Sequence, residues 1–175
     1  MNLVCVKPLP RSFKRHPNAK GLVAEADISP LGLGRRSKLF AKLLIWNSPK
    51  EMQAFWKHGL DKPIGRRALG AVNSMCYEEW HPDGAKRLLA DPRYFCLISL
   101  CLGELSMVII SHEAVHAGFA YEKRIKRCMF QPAMDFDEER IAYPAGYIAA
   151  AINRFCDKQG LYEMKPSPSK RGKRQ

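Results

Sequence analysis

Two histidines and a glutamate lie close together at positions 112–116, in the order His-Glu-Ala-Val-His. If this segment is helical, His112 and His116 project from one face, because residues four apart are neighbours on an α-helix. Two imidazoles placed in this way can bind one zinc ion, which also needs a third protein ligand and keeps a fourth position for water. Glu113 could then act as the general base towards that water. The spacing predicts zinc-dependent peptide hydrolysis; the alternative is two hydrogen-bonded histidines on a buried helix.

The third ligand has to come from another part of the chain, and no histidine follows His116. The extended motif with a glycine and a further histidine is excluded, because Phe119 and Glu122 occupy those two positions. A continuing helix should also carry Glu122 away from the metal. Cys128 and Cys156 are alternative sulfur ligands, although buried structural cysteines are more common. The remaining candidates form an acidic cluster of Asp135, Asp137, Glu138 and Glu139.

The HEAVH segment and the following DEERIAY (137–143) resemble the small gluzincin-type metallopeptidases of phages and other mobile elements. The resemblance covers about residues 112–147. In that family a glutamate one turn before an Ala-Tyr pair is the third zinc ligand, which corresponds to Glu139 here, with Glu138 as the runner-up. The resemblance implies a zincin-like fold, a Zn²⁺ cofactor and a protein or peptide substrate in the bacterial cytosol. Tyr143 is a candidate to donate a hydrogen bond to the developing oxyanion; a packing tyrosine is the alternative.

The residues that follow Glu139 lead to two further expectations. Small residues share its helical face, which should allow close approach of the HEAVH helix: Ala142, Gly146, Ala149 and Ala150. Pro144 has no amide hydrogen and restricts the residue before it, so the helix should kink at Tyr143 or begin later.

The elements that must position these residues follow from hydrophobic periodicity and turn signals. Ser48, Pro49 and Glu51 have the pattern of a capped helix start. The sequence predicts an α+β fold, with a small mixed or antiparallel sheet packed on the HEAVH helix and a second C-terminal helix that carries the third ligand. A substrate should lie along an exposed edge strand from 68–80 or 93–102. The predicted strands are 22–28, 39–46, 68–80 and 93–102, the helices 49–58, 104–127 and 138–158, and the segment 85–90 is predicted as one helical turn.

The chain has 175 residues, enough for one sizeable core. We expect a single metallopeptidase domain over 21–160, between a basic N-terminal arm at 1–20 and a basic disordered tail at 161–175. The net charge of +12 is concentrated at the two ends, because residues 1–20 and 165–175 each hold five Lys or Arg and no acid. Such ends are either solvated or contact nucleic acid. The alternative function is therefore a non-catalytic zincin-shaped module that binds protein or nucleic acid through these ends.

Composition also bears on the cellular compartment. The longest apolar stretch, 94–110, is interrupted by Gly103 and Glu104, so we expect no membrane span. The six cysteines have no C-x-x-C spacing, which is typical of free thiols in a reducing cytosol. No apolar segment of the secretory type is visible at the N-terminus. We therefore expect a cytoplasmic protein, in the host cytoplasm if a phage encodes it.

Overall fold

The described part of the protein folds as an α+β structure with two small sheets and three helices. The computed structural model describes residues 3–5, 10, 12–14, 16–32, 37–65, 67–80, 86–126 and 138–166, with backbone alone in 3–5, 76–80 and 86–90. The strands are β1 (Leu3–Cys5), β2 (Leu22–Ile28), β3 (Phe40–Trp46), β4 (Gly70–Ser74), β5 (Cys76–Trp80), β6 (Lys86–Ala90) and β7 (Tyr94–Cys101); the helices are α1 (Pro49–Gly59), α2 (Met107–Lys126) and α3 (Glu138–Lys158).

The larger sheet is mixed and has the strand order β2-β3-β7-β4. β3 and β7 are parallel, whereas β2 and β4 pair antiparallel with them at the two sides. The smaller sheet has the order β1-β6-β5. Among the described strands, β4 is therefore an edge strand next to β7, which is internal.

Helices cover both faces of the larger sheet, because side chains alternate between the two faces of a strand. In β3, Leu43 and Ile45 pack in the cluster that includes α2 and α3. Leu44 and Trp46 point the other way, into the cluster that includes α1. All four side chains are completely buried, so the second half of β3 is apolar on both faces of the sheet.

The start of α1 confirms the local prediction. Ser48 is the N-cap and accepts a hydrogen bond from the amide of Glu51, and Pro49 occupies the first helical turn. The Ser48 hydroxyl also donates to the Glu51 carboxylate at 2.9 Å.

The region 68–90 differs from the prediction. The expected single strand over 68–80 is divided at Met75, whose amide donates to the carbonyl of Phe95 and whose carbonyl accepts from Asp91. β4 then belongs to the larger sheet and β5 to the smaller one. The predicted helical turn at 85–90 is wrong, because β6 pairs with β5 on one side and β1 on the other. Backbone hydrogen bonds to two neighbouring strands stabilise this segment more than a single helical turn would, because the first turn of a helix is costly to nucleate.

α2 and α3 form an antiparallel pair and lie close together at Gly118. A Cβ atom on Gly118 would lie 2.8 Å from the Ile141 carbonyl oxygen and 3.2 Å from Cβ of Ala145. The expected contact through the small-residue face of α3 is wrong, because Ala142 is exposed and Gly146 has open space where a Cβ would be. Bulkier residues, led by Ile141 and Ile148, form the buried face of α3 instead.

The helix α3 begins at Glu138 and continues through Pro144, so the expectation of a later start is wrong. Pro144 is buried in the second turn of α3, where it lacks the amide hydrogen that would bond to the carbonyl of Arg140.

Part of the N-terminal segment belongs to the folded core. Phe13 and Ala19, within the expected N-terminal arm, are buried in the cluster around α1. The tail beyond residue 166 lies outside the described residues. Cys96, Cys101 and Cys156 are buried and form no disulfide with any described residue, as predicted for those three cysteines. No helix within the described residues is long and apolar enough to span a membrane.

Candidate functional site

The helix α2 places His112 and His116 side by side on an exposed surface. Their Nε2 atoms are 3.3 Å apart, and the two rings are nearly perpendicular at 82°. Two nitrogen ligands of one tetrahedral zinc, each 2.0–2.1 Å from the metal, are about 3.3–3.4 Å apart. The pair therefore fits two positions of a zinc site. Both side chains are exposed and not buried in the core. The same 3.3 Å is also a hydrogen-bond distance between two imidazole nitrogens, so the alternative of two hydrogen-bonded histidines stays open.

Glu113 lies beside the histidine pair but is buried, with 6% of its surface exposed. Its carboxyl group packs against the backbone of Gly70 in β4. Burial raises the pKa of Glu113, and the nearby His112 partly offsets this increase. A desolvated carboxylate next to an open groove is suited to accept a proton from a water molecule.

All three residues line one groove of about 480 Å³. α2 forms one wall, and the edge strand β4 with the loop that follows α1 forms the opposite wall. Much of the β4 wall consists of small residues, so a ligand backbone can come close to the strand. The wall residues outside α2 are Trp56, Ile64, Gly65, Ala68, Gly70, Ala71, Val72 and Ser74.

α2 and β4 run in the same direction along this groove. Gly70, at the start of β4, lies against Glu113. At the other end, Tyr121 packs edge-to-face on Phe95 with ring centres 5.1 Å apart, and the next residue after Phe95 pairs with Ser74. The groove therefore has a histidine end near Gly70 and a second end near Ser74. Lys123, two residues after Tyr121 on α2, lines the groove towards this second end, which we call the Lys123 end.

The predicted third ligand does not line the groove. Glu138 and Glu139 are exposed in the first turn of α3. Arg140, in the same turn of α3, pairs with Glu122 of α2 at 3.4 Å. Glu122 lies six residues after His116, or about 9 Å further along α2. The ion pair therefore holds the first turn of α3 away from the histidine pair. The described part of the chain contains no group of three His, Cys, Asp or Glu side chains that could hold a metal ion.

The other candidate ligands are placed as follows. Cys156 is buried in the core, and Glu122 is held by Arg140 and Lys126. Asp135, Asp137 and Cys128 lie outside the described residues. The assignment of Glu139 stays a prediction.

Tyr143 is 62% exposed on α3 and does not line the groove. The exposure does not fit the alternative of a packing tyrosine. Its role towards an oxyanion stays a prediction.

Two residues of the groove were missed by sequence reasoning. Gly70 was an ordinary position in a predicted strand, although an isolated glycine in a strand often marks a close backbone approach. Lys123 lies near the end of the predicted helix 104–127, where basic residues are common. Its spacing of seven residues from His116, two turns on one helical face, could have placed it in the same groove.

Comparison with protein-family models, with curated proteins and with solved structures gave no match for this chain.

Proposed function

We propose that the protein is a zinc-dependent metallopeptidase with a zincin-like fold. The observation that supports this most directly is the 3.3 Å separation of the His112 and His116 Nε2 atoms beside a buried carboxylate. Zinc, when bound, supplies a Lewis acid that makes a water molecule more acidic and polarises the peptide carbonyl. His112 and His116 hold the metal through neutral imidazole nitrogens.

Glu113 is the general base in this proposal. Glu113 follows His112 directly in the sequence and lines the groove. No described residue donates a hydrogen bond to its buried carboxylate. It accepts the proton of the attacking water and can pass it to the leaving amine. The burial of Glu113 favours the first of these two steps, because a raised pKa makes the carboxylate a stronger base towards the proton of the water.

The edge strand β4 binds the substrate backbone. No described strand pairs with its outer side, and that side lines the groove. An extended peptide can add to such an edge through main-chain hydrogen bonds, which requires no particular side-chain sequence. β7 is excluded from this role because it lies between β3 and β4.

Glu139 is the third ligand in this proposal, on the strength of the resemblance of 112–147 to gluzincin-type peptidases. To reach the metal, the first turn of α3 has to move towards His116, which requires the Glu122–Arg140 ion pair to rearrange. Two His and one carboxylate leave an open position, as in other catalytic zinc sites.

The general-base role is tested with Glu113→Gln in the full chain loaded with zinc. The assay measures cleavage of a diverse peptide mixture by mass spectrometry, together with zinc content. We expect cleavage to fall at least about 100-fold, with one zinc retained per chain. The matched control is Glu104→Gln, the same substitution at an exposed residue just before α2 and outside the groove. It should keep cleavage. Full activity of Glu113→Gln, or a wild-type protein that binds no zinc, would rule out the proposal.

The third ligand is tested separately by zinc affinity of Glu139→Ala and Glu138→Ala. The two residues are adjacent and both exposed, so each variant controls for the charge change in the other. Loss of zinc in Glu139→Ala alone supports the assignment. Loss of zinc in Glu138→Ala alone would identify Glu138 as the third ligand. Unchanged zinc affinity in both variants would exclude both glutamates and leave Asp135 and Asp137 as the candidates.

A further inference from the structure

Lys123 is a cation in the wall of the groove that holds the histidine pair. It lies on the same face of α2 as His116, two turns further along the helix. The side chain is half-buried and forms no ion pair or hydrogen bond with any residue the structure describes. By contrast, Lys126 pairs with Glu122 and Arg124 donates to the carbonyl of Asp91.

The groove has no acidic partner for this ammonium group. Its ionisable lining residues within the described chain are His112, Glu113, His116 and Lys123. Glu113 is the one carboxylate in that set, and it is buried against Gly70 at the histidine end. A carboxylate brought in by a ligand can therefore pair with Lys123 without displacing an ion pair in the described protein.

The spacing fixes how far such a carboxylate lies from the reacting bond. Seven residues separate His116 from Lys123, which corresponds to about 10 Å along the helix. An extended peptide advances about 3.3 Å per residue. The carboxylate therefore belongs to a side chain about three residues away from the bond at the histidine pair.

The direction of the peptide follows from β4. This strand and α2 both run from the histidine end towards the Lys123 end, and β7 pairs antiparallel with β4 on its inner side. Antiparallel pairing is also slightly the more stable of the two arrangements. A peptide that adds antiparallel to the outer edge enters at the Lys123 end and reaches the histidine end later in its sequence.

We propose that the groove selects peptides with an acidic residue about three positions before the cleaved bond, and that Lys123 is the specificity-determining residue. This rests on the proposed peptidase function and adds a substrate class to it.

The test uses two series of peptides that place Asp or Lys at each position from two to five residues on either side of a cleaved bond. For the wild-type protein, kcat/KM should be about threefold to fivefold higher with Asp than with Lys at the third position before the bond, as expected for an ion pair near a protein surface. Lys123→Glu should reverse this preference at the same position.

The control is Lys57→Glu, which makes the same charge change at an exposed site on α1 that does not line the groove. It should leave the preference unchanged, which excludes a general effect of net charge. An equal preference in the wild type and Lys123→Glu would overturn the proposal, and so would an acidic preference on the other side of the bond.

Binding separates this inference from the peptidase proposal. The same peptides, carrying a fluorophore, are titrated into Glu113→Gln with and without Lys123→Glu, and anisotropy is measured. Cleavage without an acidic preference overturns the role of Lys123 and leaves the peptidase proposal in place. An acidic binding preference that Lys123→Glu reverses, in a protein whose wild type cuts nothing, supports Lys123 and overturns the peptidase. Absence of both binding and cleavage overturns both.

Discussion

The carboxylate of Glu113 packs directly on the backbone of Gly70. A Cβ atom on Gly70 would lie 2.7 Å from Cγ and 2.8 Å from Oε1 of Glu113. Both distances are shorter than real van der Waals contacts, so the glycine leaves the space that the carboxylate occupies. A residue of the edge strand thereby positions the proposed general base on α2.

We expect Gly70→Ala to reduce peptide cleavage by about 100-fold, because a shift of about 1 Å in a reacting group has an effect of that size. The new methyl group has to push the Glu113 carboxylate away from its place. Zinc content and the unfolding midpoint should stay close to wild type. Gly65→Ala is the matched control, since it changes a glycine of the same groove that has open space around its Cβ position. Equal activity of the two variants would show that Gly70 does not position Glu113.

We expect Gly118→Ala to destabilise the protein by about 1–3 kcal/mol, as overpacking does in other proteins. The added methyl group would lie 2.8 Å from a backbone oxygen of Ile141, so α2 and α3 have to separate. Gly146→Ala makes the same change on α3 where nothing lies within 4 Å, and should stabilise by about 0.5–1 kcal/mol through helix propensity. Urea unfolding of both variants measures the two effects. The same sign for both would contradict this packing.

Tyr94 should make the stability of the protein fall at alkaline pH. Its hydroxyl donates to Asp27 at 3.0 Å. Burial, the hydrogen bond to Asp27 and the charge of Asp27 together raise the pKa of Tyr94 from 10.0 to about 12. Because the folded-state pKa is the higher one, the stabilisation is complete below pH 10 and is lost as the pH rises towards 12. The loss amounts to about 2–3 kcal/mol.

Urea unfolding between pH 9 and pH 12 tests this with Tyr94→Phe. The variant cannot ionise at this position, so the stability difference between wild type and variant should shrink as the pH rises. Tyr143→Phe is the control, because it removes a phenol that is 62% exposed. A difference for Tyr94→Phe that stays constant across this range would argue against the assigned ionisation.

The sequence determined those features that depend on neighbouring residues. The start of α1 follows from Ser48, Pro49 and Glu51, whose side chains and backbone satisfy one another within a single turn. β2 was predicted with its observed bounds, because alternation of side chains is a property of the strand itself. The spacing of His112 and His116 needs only a helix, and it brings the two imidazoles together.

Tertiary structure decided the relationships between distant segments. Long-range pairing makes β4 an edge strand, places β7 inside the sheet and turns 86–90 into a strand. Packing through Gly118 turns the bulky face of α3 inwards and leaves Glu139 exposed. The position of Gly70 against Glu113 and of Lys123 in the groove has the same origin. The physical reason is that these contacts depend on which surfaces bury the most apolar area together, and no local pattern of residues specifies that choice.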